Sequence, residues 1–454
     1  SGTRDIFRRG EERAGARRPL LPKGDRMLVR DGKLLGRVPY AFVIVGCCCL
    51  LQAFGMGLIL NCGSLFYVPV CEDMGFLRSE IATYMTGYFV GTTLVTPLAG
   101  KLLSRYDIRV VMALAIVVLS FSVGVMSTYT AIWQWQASGF LVGAAGSCIF
   151  VLPSATLVGN WFVKRRGMVY GIVMTCSSVS AAVFSQVLHG IIVADGWREA
   201  YLFVGVASFC VIFPCALLLR RNPSDVGAVP YGLVPNKVVG KASVVRGVAV
   251  KVAVVSLAFW CLFVFAGIAS FIHGGIEQHL PGYVESVGFT SSFAAAVVSA
   301  QSVGSVVDKL VMGWLNDKLG VQRTTIIELV LIVLGILGFV LLHNPVFLIV
   351  SAVLFGVQDS LMSVSLPLLI REVFGSKNYT QIHAWIRTGV GVFGSFSGIV
   401  VGAAYDFAGT FVPAFLGLMV ICFLAMACIR VAYRTSKGLV WEATGCVSDG
   451  DAKK

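Results

Sequence analysis

Lys309 and Arg387 are cations set inside apolar stretches long enough to cross a bilayer, Phe293–Trp314 and Ile382–Tyr405. A charge at that depth costs a few kcal/mol at least, so such side chains usually face a protein-lined cavity. Two positive groups there suit an anion. An Arg can grip a carboxylate through two parallel bonds, whereas a Lys acts as a point charge. Gln301, Ser302, Ser305, Asp308 and Lys309 recur at helical spacing on one side of the first stretch. Side chains lean toward the N-terminus of their helix, which tilts Lys309 toward the bilayer centre. The bland alternative for both cations is snorkelling to the interface.

Acids accompany the cations. Asp308 is expected to offset Lys309 in an empty site or to carry a proton, and Asp359, beside Gln358, is a second coupling candidate or an internal partner for Arg387. His383 stands one turn before Arg387. His273 and Glu277, with His279, read as a solvated helix end, and Glu328 reads as an interfacial charge. The first half of the chain offers only neutral groups in its apolar runs: Asn61, Tyr84, Tyr88, Gln134, Gln136, Ser177, Ser178, Gln186 and His189. Tyr84 and Tyr88, one turn apart, are candidates to close over a planar carboxylate with ring faces and hydroxyl donors. The alternative is packing aromatics at the interface.

These residues must be held by membrane helices. The chain is 57% hydrophobic and 13% charged, against soluble norms of about 45–50% and about 25%. Apolar runs of roughly twenty residues recur throughout, and no ten-residue alternating strands appear. Twelve spans are predicted at about 40–64, 79–103, 109–130, 132–159, 166–193, 198–219, 250–278, 290–314, 322–342, 346–370, 380–405 and 411–433. The expected organisation is a basic tail (1–38), a six-helix bundle (39–220), a linker (221–249), a second six-helix bundle (250–434) and a tail (435–454). Both tails read as disordered. Residues 1–38 hold no apolar run, so no cleavable signal peptide is expected.

Charge sets the orientation. Eleven of the 36 Lys and Arg lie in residues 1–38, and the other clusters include Lys101/Arg105/Arg109, Lys164/Arg165/Arg166, Lys318/Arg323 and Arg371/Lys377. With twelve spans all of them fall on one side. The positive-inside rule makes that side and both termini cytoplasmic in a cell membrane. The net charge of +13 then answers to topology and anionic lipid, with no nucleic acid needed. The 13 cysteines sit mostly in apolar runs without metal spacing, and His189, His273, His279, His343 and His383 are scattered. No nucleotide loop is present. No metal, cofactor or enzymatic activity is expected.

The halves repeat. Gly100-Lys101-Leu102-Leu103-Ser104-Arg105 and Gly313-Trp314-Leu315-Asn316-Asp317-Lys318 lie 213 residues apart, each followed by an Arg, Arg109 or Arg323. Asp195-Gly196 and Asp406 to Gly409 form a second echo. This loop signature resembles the Gly-x-Leu-x-Asp-Arg-x-Gly-x-Arg pattern of the major facilitator superfamily. The second copy keeps Asp317, Lys318 and Gly320, while the first has Ser104 and Asp107 in place of Asp and Gly. Asn160-Trp161-Phe162-Val163-Lys164-Arg165-Arg166-Gly167, Gly196-Trp197-Arg198 and Arg221-Asn222-Pro223-Ser224-Asp225-Val226-Gly227 are similar to the monocarboxylate porter family and its bacterial oxalate:formate antiporter-like relatives. The resemblance covers about residues 40–434.

The resemblance implies an all-α integral membrane fold of twelve transmembrane helices in two pseudo-symmetric six-helix bundles. It implies a secondary transporter that moves a small carboxylate by alternating access, working as a monomer. The oxalate type holds its dianion between cations on spans 8 and 11, positions that Lys309 and Arg387 match. The monocarboxylate carriers place an acid four residues before the span 8 cation; Ser305 stands there instead, and Asp308 is the nearest acid. Gly100, Arg105, Arg109, Gly313, Asp317, Lys318 and Arg323 are the implied gating residues. Proton symport and anion exchange both stay open, as does a neutral or amphipathic substrate.

Overall fold

The computed structural model describes residues 29–30, 33–34, 38–76, 78–232, 245–341 and 344–444. His343 and much of both tails and the linker lie outside those residues. Among the described residues, ten helical segments are long and apolar enough to cross a membrane: Tyr40–Asn61, Ile108–Thr128, Ile132–Trp161, Arg166–Asp195, Trp197–Leu218, Leu257–Glu277, Val321–Leu341, Pro345–Phe374, Tyr379–Tyr405 and Val412–Ser436. Two more helices, Arg78–Arg105 and Ser291–Leu319, are 28 and 29 residues long. At 1.5 Å per residue each exceeds the roughly 30 Å hydrocarbon thickness. They fill the second and eighth places, giving spans 1–12 in chain order.

Packing repeats with the sequence. Span 2 packs on span 4, span 3 on span 6 and span 1 on span 5; in the second half span 8 packs on span 10, span 9 on span 12 and span 7 on span 11. The same scheme is thus used twice, shifted by six spans. A short helix outside the bundle follows span 1 (Tyr67–Met74) and span 7 (Leu280–Ser286), with starting residues 213 apart. Gly196 and Gly409, also 213 apart, close spans 5 and 11 with φ of 93° and 69°, a backbone region that disfavours side chains. Cysteines obey the repeat too: Cys215 of span 6 meets Cys47 of span 1 thiol to thiol, and Cys428 of span 12 meets Cys261 of span 7.

The segments flagged on either side of spans 5 and 6 fold onto each other. Trp161 Nε1 donates to the Arg220 carbonyl at 2.9 Å, and Asn160 Nδ2 reaches the Arg221 carbonyl at 3.2 Å. Tyr231 N donates to the Trp161 carbonyl at 2.8 Å, and Val163 N to the Tyr231 carbonyl at 3.0 Å. The start of the expected linker is therefore part of the packed structure. Short described segments of the tails are paired. Val29–Arg30, Lys33–Leu34 and Val38–Pro39 pair as an antiparallel meander, and Glu442–Thr444 pairs with Val245–Gly247.

Candidate substrate and coupling site

Glycines bring the second-half residues together. A Cβ on Gly356 of span 10 meets the Gln301 carbonyl at 2.8 Å, and one on Gly304 of span 8 meets the Val353 carbonyl at 2.8 Å. The two backbones touch there, and Asp359 emerges one turn later, just before a π-helical turn, Leu361–Ser365. Such turns recur at functional sites. Asp359 Oδ2 lies 3.6 Å from Lys309 Nζ and accepts the Ser305 hydroxyl at 2.5 Å. Gln358 Nε2 donates to the Ala269 carbonyl at 2.8 Å, which ties span 10 to span 7. His273, one turn along span 7, places Nδ1 3.8 Å from Asp359 Oδ1 and Nε2 2.7 Å from Glu277 Oε2.

Lys309 is 7% exposed, whereas Asp359 is 38% and Glu277 53% exposed. The acids line a solvent-reached recess whose floor is the Lys309 ammonium. From that floor Lys309 Nζ also donates to Ser178 Oγ of span 5 at 2.8 Å, across the two halves. Snorkelling is excluded by this pairing. The expected partner was Asp308; Asp359 has that place. Asp308, next to Lys309 in the chain, necessarily projects to another side of the helix, and its Oδ2 is buried without a hydrogen-bond partner. Asp359 pairs with Lys309, which also corrects the alternative that it serves Arg387.

Glu328 is not interfacial. It is fully buried, its Oε1 accepting Ser360 Oγ at 3.1 Å and Ser365 Oγ at 2.8 Å. His273 and Glu277 likewise belong to the recess and are more than a solvated helix end. A one-turn spacing was the available signal; contact with span 10 was not visible in it.

Arg387 has different company: it interacts electrostatically with the phenols of Tyr170, Tyr88 and Tyr379. His383, one turn away, is fully buried, and neither ring nitrogen has a hydrogen-bond partner among the described residues. Tyr88 therefore faces Arg387. Tyr84 instead lines a pocket inside the first half with Tyr67, Trp135 and Tyr201.

The halves meet at the end that carries the basic clusters. Span 5 packs on span 8, and span 2 on span 11. A Cβ on Gly313 meets the Gly167 carbonyl at 2.6 Å, and one on Gly100 meets the Thr380 carbonyl at 3.0 Å. Small residues permit this approach. Asp317 accepts the Gly167 and Met168 N–H groups at 2.8 Å each, capping the start of span 5, where a helix presents free donors and partial positive charge. Its counterpart, Ser104, meets Gln381 of span 11 at 2.5 Å. One latch is ionic and the other neutral. Thr156 and Thr380 bond at 2.9 Å, and Arg371 Nη2 donates to Asn160 Oδ1 at 3.0 Å. Arg371 escaped the sequence reading, which counted it only as a loop charge.

The remaining gating candidates act locally. Arg109 pairs with Asp107 at 3.0 Å, Lys318 lies over the Trp314 ring at 4.0 Å, and Arg105 and Arg323 are exposed.

A family model described as Major Facilitator Superfamily matches residues 45–343 and 280–445. The chain belongs to that superfamily. It is a membrane transporter and not an enzyme. Monocarboxylate transporter 12 of Xenopus laevis is 23% identical over 408 residues, covering 84% of this chain and 86% of that protein. The MFS-type transporter YcxA of Bacillus subtilis is 22% identical over 312 residues, 68% of this chain and 71% of its own length. Among solved major facilitator structures, the proton:xylose symporter XylE aligns with a TM-score of 0.65 at 13% identity, over 86% of this chain and 95% of that one. FucP, a fucose:proton symporter of E. coli, aligns in its outward conformation with a TM-score of 0.62 at 14% identity, over 87% and 99%. These last likenesses establish the fold. In major facilitator terms, the closed basic end and the open recess above Lys309 describe one end-state of alternating access.

Proposed function

We propose that this transporter carries a small monocarboxylate together with a proton. The observation that supports this reading best is the Lys309–Asp359 pair at 3.6 Å, with Ser305 on the same carboxylate oxygen. A substrate carboxylate entering the recess takes over the ammonium. With the substrate filling the recess, Asp359 loses both its counter-charge and its access to water, and it takes up a proton because an unpaired, desolvated carboxylate is disfavoured. The site exchanges one fixed anion for one mobile anion plus a proton, so its net charge is unchanged. On the far side the carboxylate leaves, Asp359 releases its proton and the Lys309–Asp359 pair reforms. Lys309 also holds Ser178 of the opposite half, so occupancy of the ammonium acts directly on the contact between halves.

The names of the relatives support the substrate class, and the proton symporters of like fold support the coupling. By the positive-inside rule, the basic end and both termini face the cytoplasm of a cell membrane. One site between two halves suits a functional monomer. A second reading, exchange of a short dicarboxylate, draws support from Arg387, which has phenols instead of a carboxylate beside it. Thermal stabilisation of the purified protein by C1–C6 mono- and dicarboxylates separates the two. Monocarboxylates alone should stabilise for the first reading, and dicarboxylates preferentially for the second. Stabilisation only by neutral solutes contradicts both.

A further inference from the structure

Between the halves, below the Lys309 floor, Arg166 of span 5 and Arg371 of span 10 line a small cavity together with Tyr170 and Tyr379. Arg371 reaches Asn160 with Nη2, but among the described residues its buried Nη1 has no hydrogen-bond partner, and neither has the Tyr170 hydroxyl. The guanidinium lies against bare backbone: a Cβ on Gly159 would meet Arg371 Nη1 first. Arg166 acts electrostatically on Arg371, and the acid facing Arg166 is Asp317. Both Asp317 oxygens already cap span 5. Arg166, Arg371 and Asp317 thus leave one positive charge in excess beside two idle donors. Arg371 is half-buried over the Tyr379 ring at 5.3 Å; excess positive charge in so confined a place is costly, and a guanidinium recognises compact anions well.

We propose that this cavity is a second anion site, which takes one compact monovalent anion and holds the basic end shut. The anion accepts from Arg371 Nη1 and the Tyr170 hydroxyl and balances the excess charge. Spans 4 and 5 of one half and spans 10 and 11 of the other are then bridged, and the site comes apart when the halves separate there. Chloride and the carboxylate head of a small organic acid share the required chemistry. The proposal stands whether or not the central recess carries a carboxylate.

The test uses the full-length protein purified in detergent, at constant ionic strength, with sodium isethionate replaced stepwise by sodium chloride in one arm and by sodium propionate in the other. A saturable rise of about 2–4 °C in the unfolding midpoint is expected in at least one arm. Both arms are run in the Lys309→Gln background, where the central recess no longer accounts for a propionate response, and adding Arg371→Gln should abolish the rise. Should Arg371→Gln fail to fold, Tyr170→Phe, which removes the second donor alone, should shift the half-saturating concentration several-fold upward. A chloride response identifies an inorganic occupant; a response to propionate alone identifies a carboxylate. No saturable rise in either arm, or one that Arg371→Gln or Tyr170→Phe leaves unchanged, overturns the proposal.

Discussion

Lys309 Nζ stands 3.6 Å from Asp359 Oδ2 on one side and 2.8 Å from Ser178 Oγ on the other. The first contact stays within the second half of the chain, and the second crosses to the first half. One ammonium therefore touches a carboxylate of its own half and a hydroxyl of the other.

Asp359→Asn removes the group proposed to accept the proton. In the wild type a lower external pH favours the protonated Asp359 that leaves Lys309 free for substrate, so uptake should rise as external pH falls. The Asn variant should lose that dependence and net uptake, yet still exchange internal for external substrate. Asp308→Asn, away from Lys309, should keep the pH dependence. Initial rates in proteoliposomes across external pH check both; an unaltered profile in Asp359→Asn removes Asp359 from coupling.

Arg387→Lys should impair binding more than Arg323→Lys. Arg387 lies among the Tyr88, Tyr170 and Tyr379 phenols, where a planar fork can hold a carboxylate, whereas Arg323 is exposed. A fall in affinity for a dicarboxylate greater than for a monocarboxylate would place the second carboxylate at Arg387. Equal losses, or none, would confine Arg387 to a structural role.

Gly313→Leu should prevent closure of the basic end, because even a Cβ there comes within 2.6 Å of the Gly167 carbonyl. Asp317→Asn should weaken the same latch by about 1 kcal/mol, through loss of the charged cap on span 5. Labelling of a reporter cysteine in the recess measures the balance. Access from the side of the recess should fall in Gly313→Leu, and to a lesser degree in Asp317→Asn.

Glu328→Gln should fold nearly as well as the wild type, since an amide oxygen still accepts from Ser360 and Ser365. Glu328→Leu should cost about 1–3 kcal/mol, the penalty for stranding buried hydroxyls. Thermal unfolding of the two variants distinguishes this structural role from a transport role, in which Gln would already abolish uptake.

The architecture was legible because its signals are local and redundant. Apolar runs marked all twelve spans in the sequence, and the 213-residue spacing of Gly100 and Gly313 related the two halves. Lys309 was legible for the same reason: a cation in an apolar run is conspicuous. Its partner was not. Asp308 is adjacent in sequence but turns away on the helix, while Asp359 arrives from a different span through the Gly304–Gly356 contact, which no periodicity in either helix encodes. Glu328 misled because position along a helix says nothing of what covers it. Arg371 was hidden in a basic cluster, where only the meeting of the halves separates a gate residue from a loop charge.

The most direct test of the Lys309-centred account is uptake of a radiolabelled monocarboxylate into proteoliposomes under an imposed inward proton gradient, comparing the wild type with Lys309→Gln. The expected result is saturable, gradient-driven accumulation in the wild type. Lys309→Gln should lose more than tenfold at subsaturating substrate, in line with about 1.5–3 kcal/mol for hydrogen bonds to a charged group. Near-normal uptake by Lys309→Gln, or no carboxylate flux by the wild type under any gradient or counter-substrate, would contradict it.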